Sequence, residues 1–291
     1  MFGQRQKMLH TSSLPAPVNT GLGNDERRHV IQYTEKMTSA EFLSHVPDFK
    51  LAGRSAIVCD YDFSREHILL RQLMGYLQGI PRMLICSENQ LEELNFMKRM
   101  FPAGVVSGDE PAANGIYLLS ADQPLQNLKN FLMDYRIYPI IYMSRLTLDN
   151  SALRMLTSLN SGYMLLIDRD PASMIENSDD RKRLFCTDYV MAGGYPGAAL
   201  EYMSECLWSY EKLVTQHISS MVPEHDSFSV TQMERLEETP VFRKDELDGL
   251  SKDGQFLIAD RLRHICMVGN IYEQQKEEKR SFLSRILGRA F

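Results

Sequence analysis

The sequence predicts an α/β fold: a mainly parallel sheet flanked by helices, closed by a C-terminal amphipathic helix. Three observations lead there. Short apolar runs, of which SAIVC at 55–59 is the clearest, alternate with amphipathic stretches of about ten residues. Such runs lack polar alternation, as strands covered on both faces do. The chain closes on KRSFLSRILGRAF at 279–291, where apolar and cationic side chains segregate at helical spacing.

Length and charge bound this fold. At 291 residues and 44% hydrophobic, the chain can bury a full core in one large domain. A formal charge of -6 argues against a nucleic-acid-binding body, because phosphate contact needs a positive field over much of the surface. Cys59, Cys86, Cys186, Cys206 and Cys266 are odd in number, widely spaced and form no CxxC pair. Neither a disulfide framework nor a zinc site is indicated, and a reducing cytosol fits. The histidines show no metal-ligand spacing and no nucleophile elbow appears, so no catalytic residue and no metal ligand is assigned. No secretory leader and no apolar run of about eighteen residues is seen, so neither secretion nor membrane spanning is expected.

In chain order, residues 1–28 mix Ser, Pro, Asn, Gly and charge and predict a flexible tail. A single domain is expected over 29–275. It begins with a strand at 30–34, a helix at 39–45 and a turn at Gly53. The strand at 55–59 runs into Asp60, Tyr61 and Asp62, and a buried parallel strand ending in acidic residues suggests a carboxyl end that opens on a site. A helix at 64–78 carries Ile68, Leu69, Leu73 and Leu77 on one face. Strands at 83–86, 115–119, 139–143, 163–167 and 187–191 then alternate with helices at 90–100, 124–133, 150–159 and from 171. That alternation implies right-handed crossovers. Gly193, Gly194 and Gly197 suit a strand-turn-helix corner better than an anion-binding turn. Residues 223–254 are dense in charge and predict a surface excursion, followed by a helix at 255–275.

At helical spacing the last residues place Phe282, Leu283, Ile286, Leu287 and Phe291 on one side and Lys279, Arg280, Arg285 and Arg289 around the other. A helix over 276–291 is too short to cross a bilayer but suits the headgroup region of an anionic one. Docking on its own domain is the ordinary alternative.

The segment VIQYTEKMTSAEFLSHV, the Gly53-centred turn with IVCDYDF, NGIYLLSAD at 114–122, the block at 134–174 and EEKRSFLSRILG at 277–288 follow one another in an order that resembles the MinD/ParA group of deviant Walker A ATPases. The resemblance implies a P-loop NTPase-like fold. It places Lys36 at the signature lysine, Thr38 or Ser39 at the magnesium hydroxyl, and Asp60 and Asp62 at the carboxylates that hold magnesium and position water. It also marks Phe282, Leu283, Arg285, Ile286, Leu287, Arg289 and Phe291 as membrane-binding.

The departures from the group are specific. The loop reads Glu35, Lys36, Met37, Thr38, Ser39, without glycine and without a lysine before the hydroxyl residue. A phosphate cradle needs both. Met143 stands where the group has its switch aspartate, followed by Ser144 and Arg145. An ordinary helix N-cap and a solvated lysine are the better explanation of residues 36–39. Phosphoryl transfer depends on positioning and charge neutralisation, so such losses remove most of what the fold contributes to rate. The resemblance therefore implies a pseudo-ATPase needing no cofactor, with ATP and magnesium binding left as the alternative. It implies a homodimer, or a heteromer with a related ATPase, on the cytoplasmic face of the inner membrane. There it would contact anionic lipid and recruit protein components of a bacterial secretion, pilus or exopolysaccharide assembly, with no nucleic acid. An active MinD-like switch and an α/β enzyme of unknown substrate are the other readings.

Overall fold

The computed structural model describes residues 29–59, 68–87, 90–91, 95–107, 111–119, 124–142, 148–167, 178–193, 197–222 and 227–271. The predicted N-terminal tail, the C-terminal helix at 276–291 and the helix start at 171–176 lie outside these residues.

The parallel core rests on strands that the sequence marks by continuous apolar runs. These are β2 (Arg54–Cys59), β3 (Arg82–Ser87), β5 (Ile116–Leu119), β6 (Tyr138–Tyr142), β7 (Gly162–Ile167) and β8 (Tyr189–Ala192). All six residues of β7 are buried, as expected for a strand covered on both faces. Four strands extend the sheet: β1 (Val30–Met37), β4 (Val105–Ser107), β11 (Phe256–Asp260) and β12 (Ile265–Ile271). The ten-stranded order is β1-β12-β11-β8-β2-β7-β6-β3-β5-β4. Every neighbouring pair is parallel except the two that involve β11. The fold class is thus as the sequence predicts.

Helices cover both faces. Helices α1 (Ser39–Ser44) and α2 (Ile68–Tyr76), with a 3-10 turn at Asn95–Met100, lie on one face, where Phe42, Leu43, Leu73 and Met97 meet Val58, Leu84, Ile140 and Leu166. On the other face lie α3 (Lys129–Asp134), α4 (Asn150–Thr157), α5 (Ser178–Phe185), α6 (Gly197–Cys206) and α7 (Lys244–Lys252). There Leu132, Leu156, Phe185, Met203 and Leu247 pack on Ile57, Ile85, Leu165 and Val190. Successive residues of each strand alternate between these two clusters, which is the period-2 rule acting on a sheet buried on both sides.

The C-terminal third departs from expectation. Residues 223–254 hold no simple surface excursion: β9 (Ser209–Val222) and β10 (Ser227–Pro240) pair over fourteen antiparallel positions as a separate two-stranded ribbon, and α7 follows. The predicted helix at 255–275 is instead the antiparallel pair β11 and β12, joined through residues 261–264. Its apolar run is four to seven residues long in each half, a length at which periodicity does not separate strand from helix. Two predicted helices are also shorter: 3-10 turns occupy Leu125–Leu128, ahead of α3, and Asn95–Met100.

Candidate functional site

In an open parallel sheet, ligands bind outside the carboxyl ends of the strands, where neighbouring strands send their connections to opposite faces. One such point lies between β2 and β7. The chain leaving β2 enters α2 on one face, and the chain leaving β7 enters α5 on the other. The two strands are in register, with Cys59 opposite Ile167, and β8 closes the far side with Ala192 opposite Cys59. The Gly193 N–H donates to the Cys59 carbonyl at 3.0 Å, extending β8 by one step along β2.

Gly193 is there for packing. A Cβ on it would stand 2.3 Å from the Phe256 ring. Its N–H is spent on Cys59, so it is not available to an anion, and the strand-turn-helix corner is the arrangement found: β8 leads through Gly193 towards α6, which opens at Gly197. Gly194 lies outside the described residues.

The residues that the resemblance groups as one nucleotide site belong to the ends of two different strands, β1 and β2. Lys36 is exposed near the end of β1, an edge strand whose partner is β12. Thr38 is the N-cap of α1, and its hydroxyl is committed to a reciprocal capping box. The Glu41 N–H donates to Thr38 Oγ1 at 3.2 Å, and the Thr38 N–H and hydroxyl donate to Glu41 Oε2 at 2.8 and 2.9 Å. These bonds hold the Glu41 carboxyl below its usual range, the backbone bond from Thr38 contributing most. Ser39 is buried under the first turn of α1. By contrast, Asp60 and Asp62 follow directly on β2 and lie outside the described residues. Four strand spacings separate β1 from β2, about 19 Å at the usual interstrand distance. Lys36, Thr38 and Ser39 thus stand four strands from the end of β2, and the place of Asp60 and Asp62 relative to them lies outside the described residues.

By its place in the sheet, the chain leaving β2 is one candidate for a ligand loop. That segment reads DYDFSREH at 60–67, and its counterpart after β7 reads DRDPASMIEN at 168–177. Neither contains a glycine or a lysine. Both open on Asp-x-Asp, so the residue following each of the cross-strand partners Cys59 and Ile167 is an aspartate. Sequence reasoning caught the first pair, Asp60 and Asp62, and passed over Asp168 and Asp170. Only the pairing of β2 with β7 makes them correspond.

A cleft of about 410 Å³ lies at the opposite edge of the sheet, lined by Gly53, Ile80, Leu132, Arg136, Asn160 and Ser161. Its polar groups are largely committed to the fold, since the Ser161 hydroxyl donates to the Ile137 carbonyl at 2.7 Å and the Gly53 N–H to the Ser161 carbonyl at 2.9 Å.

No protein-family model matches the chain, and comparison with curated proteins gives no match. Among solved structures, the chain is similar to the genome-packaging NTPase B204 of Sulfolobus turreted icosahedral virus 2 in complex with ATP-gammaS. The TM-score is 0.44 and the identity 7%, over 76% of this chain and 98% of that one. It is similar also to B204, the DNA-packaging ATPase of Sulfolobus turreted icosahedral virus, with a TM-score of 0.42 and 7% identity over 77% of this chain and 100% of that one. Neither is described as a MinD/ParA ATPase. No helix among the described residues is long and apolar enough to cross a membrane.

Proposed function

We propose that this chain is a non-hydrolysing assembly module, held on an anionic membrane face by its last residues and recruiting protein partners there. One observation carries the reading. The two strands that flank the candidate ligand-binding point, β2 and β7, lead into segments that carry paired aspartates but no glycine and no lysine. A phosphate loop works by bringing backbone N–H groups close to the phosphates, which glycine permits, and by supplying a cation. Asp60, Asp62, Asp168 and Asp170 would repel a nucleotide's phosphates, and Arg65 and Arg169, which stand among them, lack beside them the glycine that lets backbone N–H groups approach. A fold hosts an activity only through its site, so catalysis falls away while the surfaces remain. The tail sequence supports the membrane half of the reading, because bulky apolar residues flanked only by cations favour an anionic interface. Paired tails in a homodimer, or in a heteromer with a related ATPase, would strengthen an anchor that is marginal alone.

The test has two independent arms. Full-length protein is incubated with ATP and magnesium, and turnover is expected to stay at the buffer background. Hydrolysis abolished by Asp60→Ala would overturn the reading in favour of an active switch. In the second arm the protein is sedimented with vesicles containing phosphatidylglycerol. Pelleting is expected, and it should be lost on deletion of 281–291 or in Phe282→Glu. Equal pelleting of the truncated chain would remove the membrane role and leave the first arm standing.

A further inference from the structure

Cys186 and Cys206 are brought together by the packing of α5 against α6. Cys186 is the first residue after α5, and Cys206 is the last of α6. The two helices are tied by an ion pair between Lys182 Nζ and Glu205 Oε2 at 2.6 Å. The Cys206 thiol donates to the Lys182 carbonyl at 3.0 Å, which lays it over the final turn of α5. Lys182 lies one helical turn before Cys186, so this contact brings the two cysteines side by side. Arg261, in the connection from β11 to β12, is clamped across the same stretch. Its N–H donates to the Asp188 carbonyl at 2.9 Å and its Nη1 to the Thr187 carbonyl at 3.1 Å. This holds its guanidinium where its charge, with that of Arg183, acts on the Cys186 sulfur.

The two thiols are unequal. Cys186 is exposed and Cys206 is buried, as are Cys59, Cys86 and Cys266. When Cys186 ionises, the single Cys206 proton turns from the Lys182 carbonyl to its sulfur, and this, followed by the positive charge of Arg261 and Arg183, holds the Cys186 thiol down to about 6 against the opposing effect of burial. The same hydrogen bond, with burial, pushes Cys206 up. An accessible thiolate beside a protonated, sheltered thiol is the arrangement of an attacking and a resolving cysteine.

We infer that Cys186 and Cys206 form a peroxide-reactive dithiol that closes to an intramolecular disulfide. The Cys186 thiolate attacks one oxygen of hydrogen peroxide. The O–O bond breaks, hydroxide leaves and is protonated to water, and Cys186 becomes a sulfenic acid. Cys206, giving its proton to solvent, then attacks the Cys186 sulfur. The S–O bond breaks, an S–S bond forms and a second hydroxide leaves as water. Two thiols lose two electrons and two protons, and one peroxide becomes two waters. The bond staples the end of α6 to the segment leading into β8, the strand beside β2.

Full-length protein treated with hydrogen peroxide in the presence of a chelator is mapped by non-reducing peptide mass spectrometry. The expected result is one peptide linking Cys186 to Cys206, reversed by dithiothreitol, with Cys59, Cys86 and Cys266 still alkylated after denaturation. In Cys206→Ser, dimedone should label Cys186. In Arg261→Gln, the loss of thiol at neutral pH should slow about tenfold as the thiolate fraction falls. Peroxide-treated wild type with no thiol loss, with a link through another cysteine, or with Cys186 joined only between chains would overturn the inference, whether or not the variants fold.

Discussion

The Asp188 carboxylate accepts from the Ser55 N–H at 2.7 Å and from the Ser55 hydroxyl at 2.9 Å, and the Ser55 hydroxyl accepts in turn from the Asp188 N–H at 3.0 Å. This clasp fixes the beginning of β2 against the beginning of β8, with the Arg54 guanidinium 3.8 Å from the second carboxylate oxygen. The carboxyl ends of both strands inherit their registration from it.

Asp188→Ala should therefore lower stability by about 2–3 kcal/mol, because it strips two donors of Ser55 of a charged acceptor. Asp188→Asn keeps an acceptor and should lose about half as much. Urea unfolding of the three proteins measures both, and an unchanged midpoint in Asp188→Ala would count the clasp as ornamental.

Gly162 opens β7 at φ +77°, and a Cβ there would stand 2.1 Å from the Arg54 carbonyl oxygen and 2.5 Å from its nitrogen. Since both obstacles are main chain, Gly162→Ala should cost more than about 3 kcal/mol. Gly53, at φ +70° with nothing nearer than 3.5 Å, offers the control. Gly53→Ala should cost about 1 kcal/mol from backbone conformation alone. Similar losses at the two positions, measured by thermal unfolding, would contradict the close approach.

Alkaline pH should unfold the protein through its core tyrosines. The Tyr138 hydroxyl donates to the Tyr163 carbonyl at 2.9 Å, and burial raises its ionisation well above the usual 10. Tyr163 is pushed up to about 12, again mainly by burial. In the unfolded chain a phenol loses its proton near 10, while the folded protein still holds it, so within that window the folded state binds more protons. Stability is then complete below about pH 10 and declines towards 12, by about 1.4 kcal/mol per pH unit for each such tyrosine. A urea midpoint that does not drop as the pH rises from about 10 to about 12 would refute this linkage.

Thr38→Ala should cost about 1 kcal/mol through loss of the helix cap. Lys36→Ala, on an exposed edge, should leave stability unchanged. Neither should alter any calorimetric response to ATP and magnesium. A diminished response in either variant would restore residues 36–39 as a ligand loop.

What the sequence disclosed follows from how each segment is buried. After Ser55, AIVC is apolar and buried throughout, as YMLLI is buried throughout, because both sheet faces are covered, so β2 and β7 could be read directly. The β9–β10 ribbon carries charges and few apolar repeats and was hidden by the same rule, since its hydrogen bonds run between its own two strands. The candidate site was half legible. Asp60 and Asp62 stood out after a clear strand, but the position of β1 at the sheet edge depends on β12, which pairs with it from the far end of the chain. Local pattern carries no information about such a partner. The nearness of Cys186 to Cys206 depends likewise on helix packing and not on spacing.

The pairing of Val30 with Cys266 and of Met37 with Ile271 also orders events during synthesis. The first of the described strands meets its described neighbour only once the last of them has been made, and closing so long a loop is slow. Until then an uncovered strand waits on the nascent chain, open to pairing with another copy. Yield of the folded protein should consequently respond to chaperone supply and to translation speed over the codons for β12.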